Sequence, residues 1–150
     1  MVSEGSTFVL RVPIVFAEAS PVTVPANPVL QPGKKFILIV EDNTETAFIY
    51  QRYLGSAGFQ THCLASTDDA QRLLSTVRPS AIILDLFLGE ETTWSFLREL
   101  KSRQDPIPVL VMSVSDDEHK IFGAGADAYL REPFYRRRCC LRHYQADNTH

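Results

Sequence analysis

A parallel β-sheet with helices wound on both faces, the α/β class, is what three features of this 150-residue sequence predict. Short apolar runs, Phe36–Val40, Ala81–Leu84 and Val109–Met112, show no polar alternation, as expected of strands buried on both faces. Stretches with helical spacing of apolar residues separate them. Each run also ends in polar chemistry: Glu41-Asp42 after the first, Asp85 after the next, Ser113 after the last. Open sheets of this class gather their chemistry at the C-terminal ends of the strands.

The composition is that of an ordinary globule, 45% hydrophobic and 22% charged. A net charge of −3 gives no overall reason to expect nucleic-acid binding. No apolar run approaches the roughly 18 residues of a membrane span. Ala17-Glu18-Ala19 mimics a signal cleavage site, but Glu4, Arg11 and Pro13 argue against a signal peptide. Three cysteines, Cys63, Cys139 and Cys140, make no C-x-x-C pair and suit a reducing cytoplasm. Cys139, Cys140 and His143 lack an obvious fourth ligand for zinc and read as part of a helix.

Residues 5–14 read as one strand, and five residues of turn type, Pro21, Pro25, Pro28, Pro32 and Gly33, make residues 15–34 a linker. The globular part is expected over residues 35–146. Its first strand is Phe36–Val40, followed by a helix over Thr44–Ser56 capped by Asn43 or Thr44, with Phe48, Ile49, Tyr53 and Leu54 inward. Gln60–Leu64 is a weaker strand. Ser66 or Thr67 caps a helix running to Val77, with Ala70, Leu73 and Leu74 inward. The strand ending at Asp85 follows.

Glu91–Ser102 places Trp94, Phe96, Leu97 and Leu100 on one helical face, Trp94 as core. Val109–Met112 is the fourth strand, Ser115–Phe122 a short helix, Asp127–Leu130 the fifth strand, and a last helix begins near Phe134. The strand order is not readable from spacing.

In a parallel sheet Glu41, Asp42, Asp85 and Ser113 share one edge. Carboxylates converging there repel one another unless a cation sits among them, and oxygen donors suit Mg²⁺. A carboxylate beside Mg²⁺ with a hydroxyl nearby is a reasonable phosphoryl acceptor.

The segments FILIVEDN, AIILDLFLG, VLVMS and GADAYLREPF, in this order and spacing, resemble the receiver domain of two-component response regulators. The resemblance covers residues 35–135 and implies a flavodoxin-like (βα)5 sheet of order 2-1-3-4-5. It implies that Asp85 accepts a phosphoryl group from the phosphohistidine of a histidine kinase or phosphotransfer protein. Asp42, Asp85 and the Phe87 backbone carbonyl would ligate Mg²⁺, with Glu41 helping through water. Ser113 would bind a phosphoryl oxygen, and Tyr129 would be the aromatic switch. A downstream protein would dock on the 113–134 face, so the expected output is a protein contact and not nucleic acid.

Glu132 departs from the pattern, since the family carries a lysine immediately before this proline. Two unit charges about 4 Å apart interact by roughly 4 kcal/mol at an effective dielectric near 20, so attraction becomes repulsion. Four acids are then expected to converge, keeping Mg²⁺ binding while weakening phosphorylation. Arg131 could compensate only by folding back, because successive strand residues face opposite ways. Val114 puts a branched side chain where many relatives are small. The Glu132-Pro133 bond is expected to be cis by the resemblance. The segment after Phe134 offers a poor apolar stripe and a basic run, Arg136–Arg138, read as a solvated face; it also fits truncation or an altered reading frame.

EGSTFVLRVP resembles the last glycine motif and strand of a histidine-kinase ATP-binding domain. Residues 1–14 are therefore expected to be a remnant of that domain, the whole being the tail of a hybrid sensor kinase with no kinase core and no enzyme activity beyond its own phosphorylation. Two other readings differ in class. One is a pseudo-receiver binding partners without phosphate, favoured by Glu132. The other is a phosphatase of the haloacid dehalogenase type, which wants an acid where Phe87 stands.

Overall fold

The computed structural model describes residues 28–89 and 91–132. The expected strand at 5–14, most of the linker, Pro133, the final helix, the basic run and Cys139, Cys140 and His143 lie outside them. Within them the elements alternate: β1 Phe36–Val40, α1 Thr44–Ser56, β2 Gln60–Leu64, α2 Thr67–Leu74, β3 Ala81–Asp85, β4 Phe87–Leu88, β5 Glu91–Thr92, α3 Trp94–Ser102, β6 Val109–Ser113, α4 Glu118–Gly123 and β7 Ala128–Arg131. The main sheet runs β2-β1-β3-β6-β7, all parallel, which is the 2-1-3-4-5 order the resemblance implied.

The uninterrupted apolar runs explain the two-layered core. All five residues of β1 are buried. Phe36, Leu38 and Val40 face one side with Ile82, Leu84 and Val111, where Ala70 and Leu73 of α2, Leu97 and Leu100 of α3 and Ile121 of α4 cover them. Ile37, Ile39, Ile83 and Met112 face the other, against Tyr50 and Leu54 of α1.

Helix α1 is rotated from the expected face: Ala47, Tyr50 and Leu54 are buried, whereas Phe48 and Tyr53 are half-exposed. The 47, 50, 54 spacing is the helical one, and Tyr50 supplies the bulk.

Caps set the helix starts. Asn43 Oδ1 accepts the Thr46 N–H at 2.9 Å, and Ser66 Oγ accepts the Asp69 N–H at 3.2 Å. Asp117 Oδ1 accepts the Lys120 N–H at 3.0 Å, so α4 begins at Glu118 and not at Ser115. Helix α2 stops at Leu74, short of Val77. Helix α3 begins at Trp94 and not Glu91, because the backbone of Glu91–Thr92 pairs antiparallel with Phe87–Leu88 in a small hairpin. The last described strand is Ala128–Arg131, one residue later than expected.

Trp94 is half-buried against the core, and the Lys120 ammonium lies 4.7 Å from its ring centroid. Lys101 ties α3 to the far sheet edge, its ammonium 2.6 Å from Asp127 Oδ2 and 3.2 Å from the Ile107 carbonyl. Gly125 makes room for that stem. Its φ is +103°, and a Cβ there would meet Lys101 Cγ at 2.9 Å.

Candidate cation and acceptor site

The C-terminal edge of the sheet brings together Glu41 and Asp42 after β1 and Asp85 at the end of β3. One carboxylate oxygen from each lies within 4.8 Å of the others. Register makes this inevitable: Val40 pairs with Leu84, so β1 and β3 end side by side. Asp85 in turn pairs with Met112, which puts Ser113 one step further on the neighbouring strand.

Each acid is held differently. Glu41 is buried, 5% exposed; its N–H donates to the Leu64 carbonyl at 3.0 Å and its Oε1 accepts the Asn43 N–H at 2.9 Å. Burial pushes its carboxyl up to about 8; the Asn43 bond opposes this, and the charges of Asp85, Glu132 and Asp42 add to it. Asp85 is half-buried and accepts the Phe87 N–H on Oδ1 at 3.0 Å. Burial raises Asp85 to about 6, against the lowering effect of the Phe87 N–H and with Glu132 and Asp42 raising it further. Asp42 is exposed at the mouth, beneath the hairpin turn, where a Cβ on Gly89 would lie 3.6 Å from Asp42 Oδ2.

Such a set, all oxygen and repelling itself, fits a hard dication that keeps several waters. Bound there, Mg²⁺ would neutralise charge on the oxygens during a transfer at Asp85.

The loop after Asp85 is fixed by a residue that nothing in the sequence marks. Thr93 is fully buried; its hydroxyl donates to the Asp85 carbonyl at 2.8 Å and its N–H to the Leu86 carbonyl at 3.0 Å. That is why Thr93 precedes α3 without capping it.

Phe87 is exposed in β4. Ser113 is fully buried and its Oγ accepts the Ser115 N–H at 3.1 Å. Tyr129 is half-buried, its hydroxyl donating to the Ser115 carbonyl. Val114 is 63% exposed beside them.

Two expectations are settled at β7. Arg131 does not fold back towards Asp85; its Nη1 lies 2.5 Å from Asp116 Oδ1 in an exposed pair. Glu132 does join the acids at this edge: its charge raises both Glu41 and Asp85, ahead of that of Asp42. The close group is nevertheless Glu41, Asp42 and Asp85, and the Glu132 carboxylate beside it accepts the Tyr50 hydroxyl. Tyr50, buried on α1, was not among the sequence candidates.

The family model described as response regulator receiver domain matches residues 37–142. The chain belongs to this family. Its receiver is 33% identical over 111 residues to the transcriptional regulatory protein GltR of Pseudomonas aeruginosa, covering 71% of this chain and 46% of that protein. It is 31% identical over 101 residues to the response regulator MprA of Mycolicibacterium vanbaalenii, covering 65% of this chain and 44% of that one. The chain thus spans about half the length of the curated relatives it matches. Among solved structures, the signal receiver domain of a signal transduction histidine kinase from Syntrophus aciditrophicus superposes with a TM-score of 0.60 at 32% identity, over 66% of this chain and 79% of that one. A response regulator from Burkholderia pseudomallei, described with a phosphorylated aspartic acid, a calcium ion and citrate, gives 0.60 at 26%, over 67% and 61%. The receiver is therefore a module of two-component signalling. Among the described residues no helix is long and apolar enough to cross a membrane.

Proposed function

We propose that this receiver takes a phosphoryl group from a phosphohistidine onto Asp85 and changes a protein contact in response. The observation that carries the reading is the convergence of Glu41, Asp42 and Asp85 within 4.8 Å, with Asp85 half-buried and raised to about 6. Asp42, Asp85 and the Phe87 carbonyl would hold Mg²⁺, with Glu41 helping through water, and the ion would neutralise charge on the phosphoryl oxygens. A carboxylate oxygen of Asp85 forms the new O–P bond as the P–N bond of the donor breaks, and the imidazole leaves with the electron pair and takes a proton. Ser113, whose Oγ accepts the Ser115 N–H, donates its hydroxyl proton to a phosphoryl oxygen, and Tyr129 follows the loop.

The donor is a histidine kinase or phosphotransfer protein in the cytoplasm, and the receiver's own chemistry stops at its phosphorylation. The downstream protein docks on the 113–134 face. Residues 1–14 and 15–34 are a kinase-domain remnant and a linker ahead of a receiver over 35–146, as in a hybrid sensor kinase; for the receiver part alone, the similarity to the signal receiver domain of a histidine kinase from Syntrophus aciditrophicus is in keeping with such a setting.

The test is incubation with Mg²⁺ and acetyl phosphate, read by intact mass. One base-labile phosphoryl adduct, lost in Asp85→Asn and without Mg²⁺, is expected; no adduct on a folded, Mg²⁺-bound protein overturns it.

Glu132 favours a second reading, a pseudo-receiver that binds its partner without phosphate. The loop after β6 is already tied by the Tyr129–Ser115 and Arg131–Asp116 contacts. On this reading Asp85→Asn leaves partner binding unchanged.

A further inference from the structure

Glu132 stands where a lysine would neutralise the pocket, and a fourth acid there ought to crowd it. The side chain that meets it is Tyr50. This ring is 4% exposed, packed on the α1 face of the sheet with Ile37, Ile39 and Met112, so it cannot follow Glu132 outward. Its hydroxyl donates to Glu132 Oε1, 82 residues away in sequence. A hydrogen bond to a charged acceptor is stronger than a neutral one, and a fixed donor dictates where that acceptor sits. The outcome is visible in the carboxylates: Glu41, Asp42 and Asp85 bring oxygens within 4.8 Å of one another, while Glu132, close enough for its charge to act on Glu41 and Asp85, is held on the tyrosine beside them.

We propose that Tyr50 is a positioning residue of the cation pocket, holding the Glu132 carboxylate out of the Glu41, Asp42 and Asp85 cluster. The proposal rests on the receiver reading of that cluster. Tyr50 thereby does part of what Arg131 does not: it makes an acid tolerable at this place. Freed from the hydroxyl, Glu132 has a flexible side chain and turns towards a bound dication as a further oxygen donor.

The test is calorimetric titration of the whole chain with Mg²⁺, comparing wild type, Tyr50→Phe, Glu132→Asp, Glu132→Gln and the double variant Tyr50→Phe/Glu132→Gln, each checked for a cooperative melt. Tyr50→Phe keeps the buried ring, and Glu132→Asp draws the acid back from the hydroxyl by one methylene while leaving the ring untouched, so either variant tests the idea if the other fails to fold. Both are expected to bind Mg²⁺ tighter by about three- to ten-fold, the scale of one added carboxylate at a solvated site. Glu132→Gln and the double variant should bind alike and no tighter than wild type. Unchanged or weaker affinity in Tyr50→Phe and Glu132→Asp overturns the proposal, as does a gain that persists beside Glu132→Gln. Folded proteins that all fail to bind Mg²⁺ overturn the receiver reading beneath it, and the proposal with it.

Discussion

Arg131 Nη1 lies 2.5 Å from Asp116 Oδ1, so the only cation adjacent to Glu132 in the chain is spent on the loop before α4. The pair is well exposed and adds little stability, about 0–1 kcal/mol. Its direction matters more than its strength, for among the described residues it leaves the charge of Glu132 to the Tyr50 hydroxyl.

Glu132→Lys should therefore speed phosphorylation. Reversing one unit charge near Asp85 and the incoming phosphoryl group changes repulsion to attraction. After solvent screening, a gain of about 1.4 kcal/mol or more, at least roughly ten-fold in rate, is expected. The rate of adduct formation with acetyl phosphate and Mg²⁺ measures it. An unchanged rate would mean that Glu132 does not limit the reaction.

Stability without divalent cations should fall as pH rises. Glu41 and Asp85 titrate near 8 and 6 in the folded state, above their ordinary 4.5 and 3.8. Between about pH 4 and 8 the folded state therefore holds more protons than the unfolded one, and the slope of stability with pH is negative. These two groups favour folding most below pH 4 and lose that contribution through 6 for Asp85 and 8 for Glu41. Thermal melts in chelator should drop by at least roughly 4 °C from pH 5 to 8, the shift that about 1 kcal/mol makes in a domain of this size. Mg²⁺ should raise the midpoint more at pH 8 than at pH 5, since it binds the deprotonated acids. A midpoint that is flat in pH would count against the burial of these carboxylates.

Thr93→Val should cost about 1–3 kcal/mol in urea unfolding at unchanged slope, because it keeps the shape but leaves the buried Asp85 carbonyl without its 2.8 Å donor. The same variant should slow phosphorylation, as the strand end that carries the acceptor loosens. A stability change under a few tenths of a kcal/mol would show that the bond is dispensable.

The central strands were legible in the sequence because burial on both faces leaves a period-free apolar run, and Phe36–Val40 stands where expected; the edge strand Gln60–Leu64 also does, although it is polar and half-buried and carries no such run. The acids at the strand ends were legible for the same reason, since a carboxylate cannot sit inside such a run. Strand order came only with the family resemblance. The β4–β5 hairpin was not legible, because two-residue strands carry no period and Glu91–Thr92 sits just ahead of the α3 pattern. Tyr50 was hidden by other aromatic residues in the helix: Phe48 and Tyr53 drew the helix face, although the 47, 50, 54 spacing held the signal. Thr93 gave no signal, because its role depends on a chain reversal that brings it back to Asp85.

The most direct test of the account is to locate the phosphoryl group. After treatment with Mg²⁺ and acetyl phosphate, borohydride converts an aspartyl phosphate to homoserine, which tandem mass spectrometry places in the sequence. Homoserine at residue 85, absent when Mg²⁺ is chelated, is the predicted result. A folded protein showing no conversion, or conversion at Asp42 in place of Asp85, would contradict it.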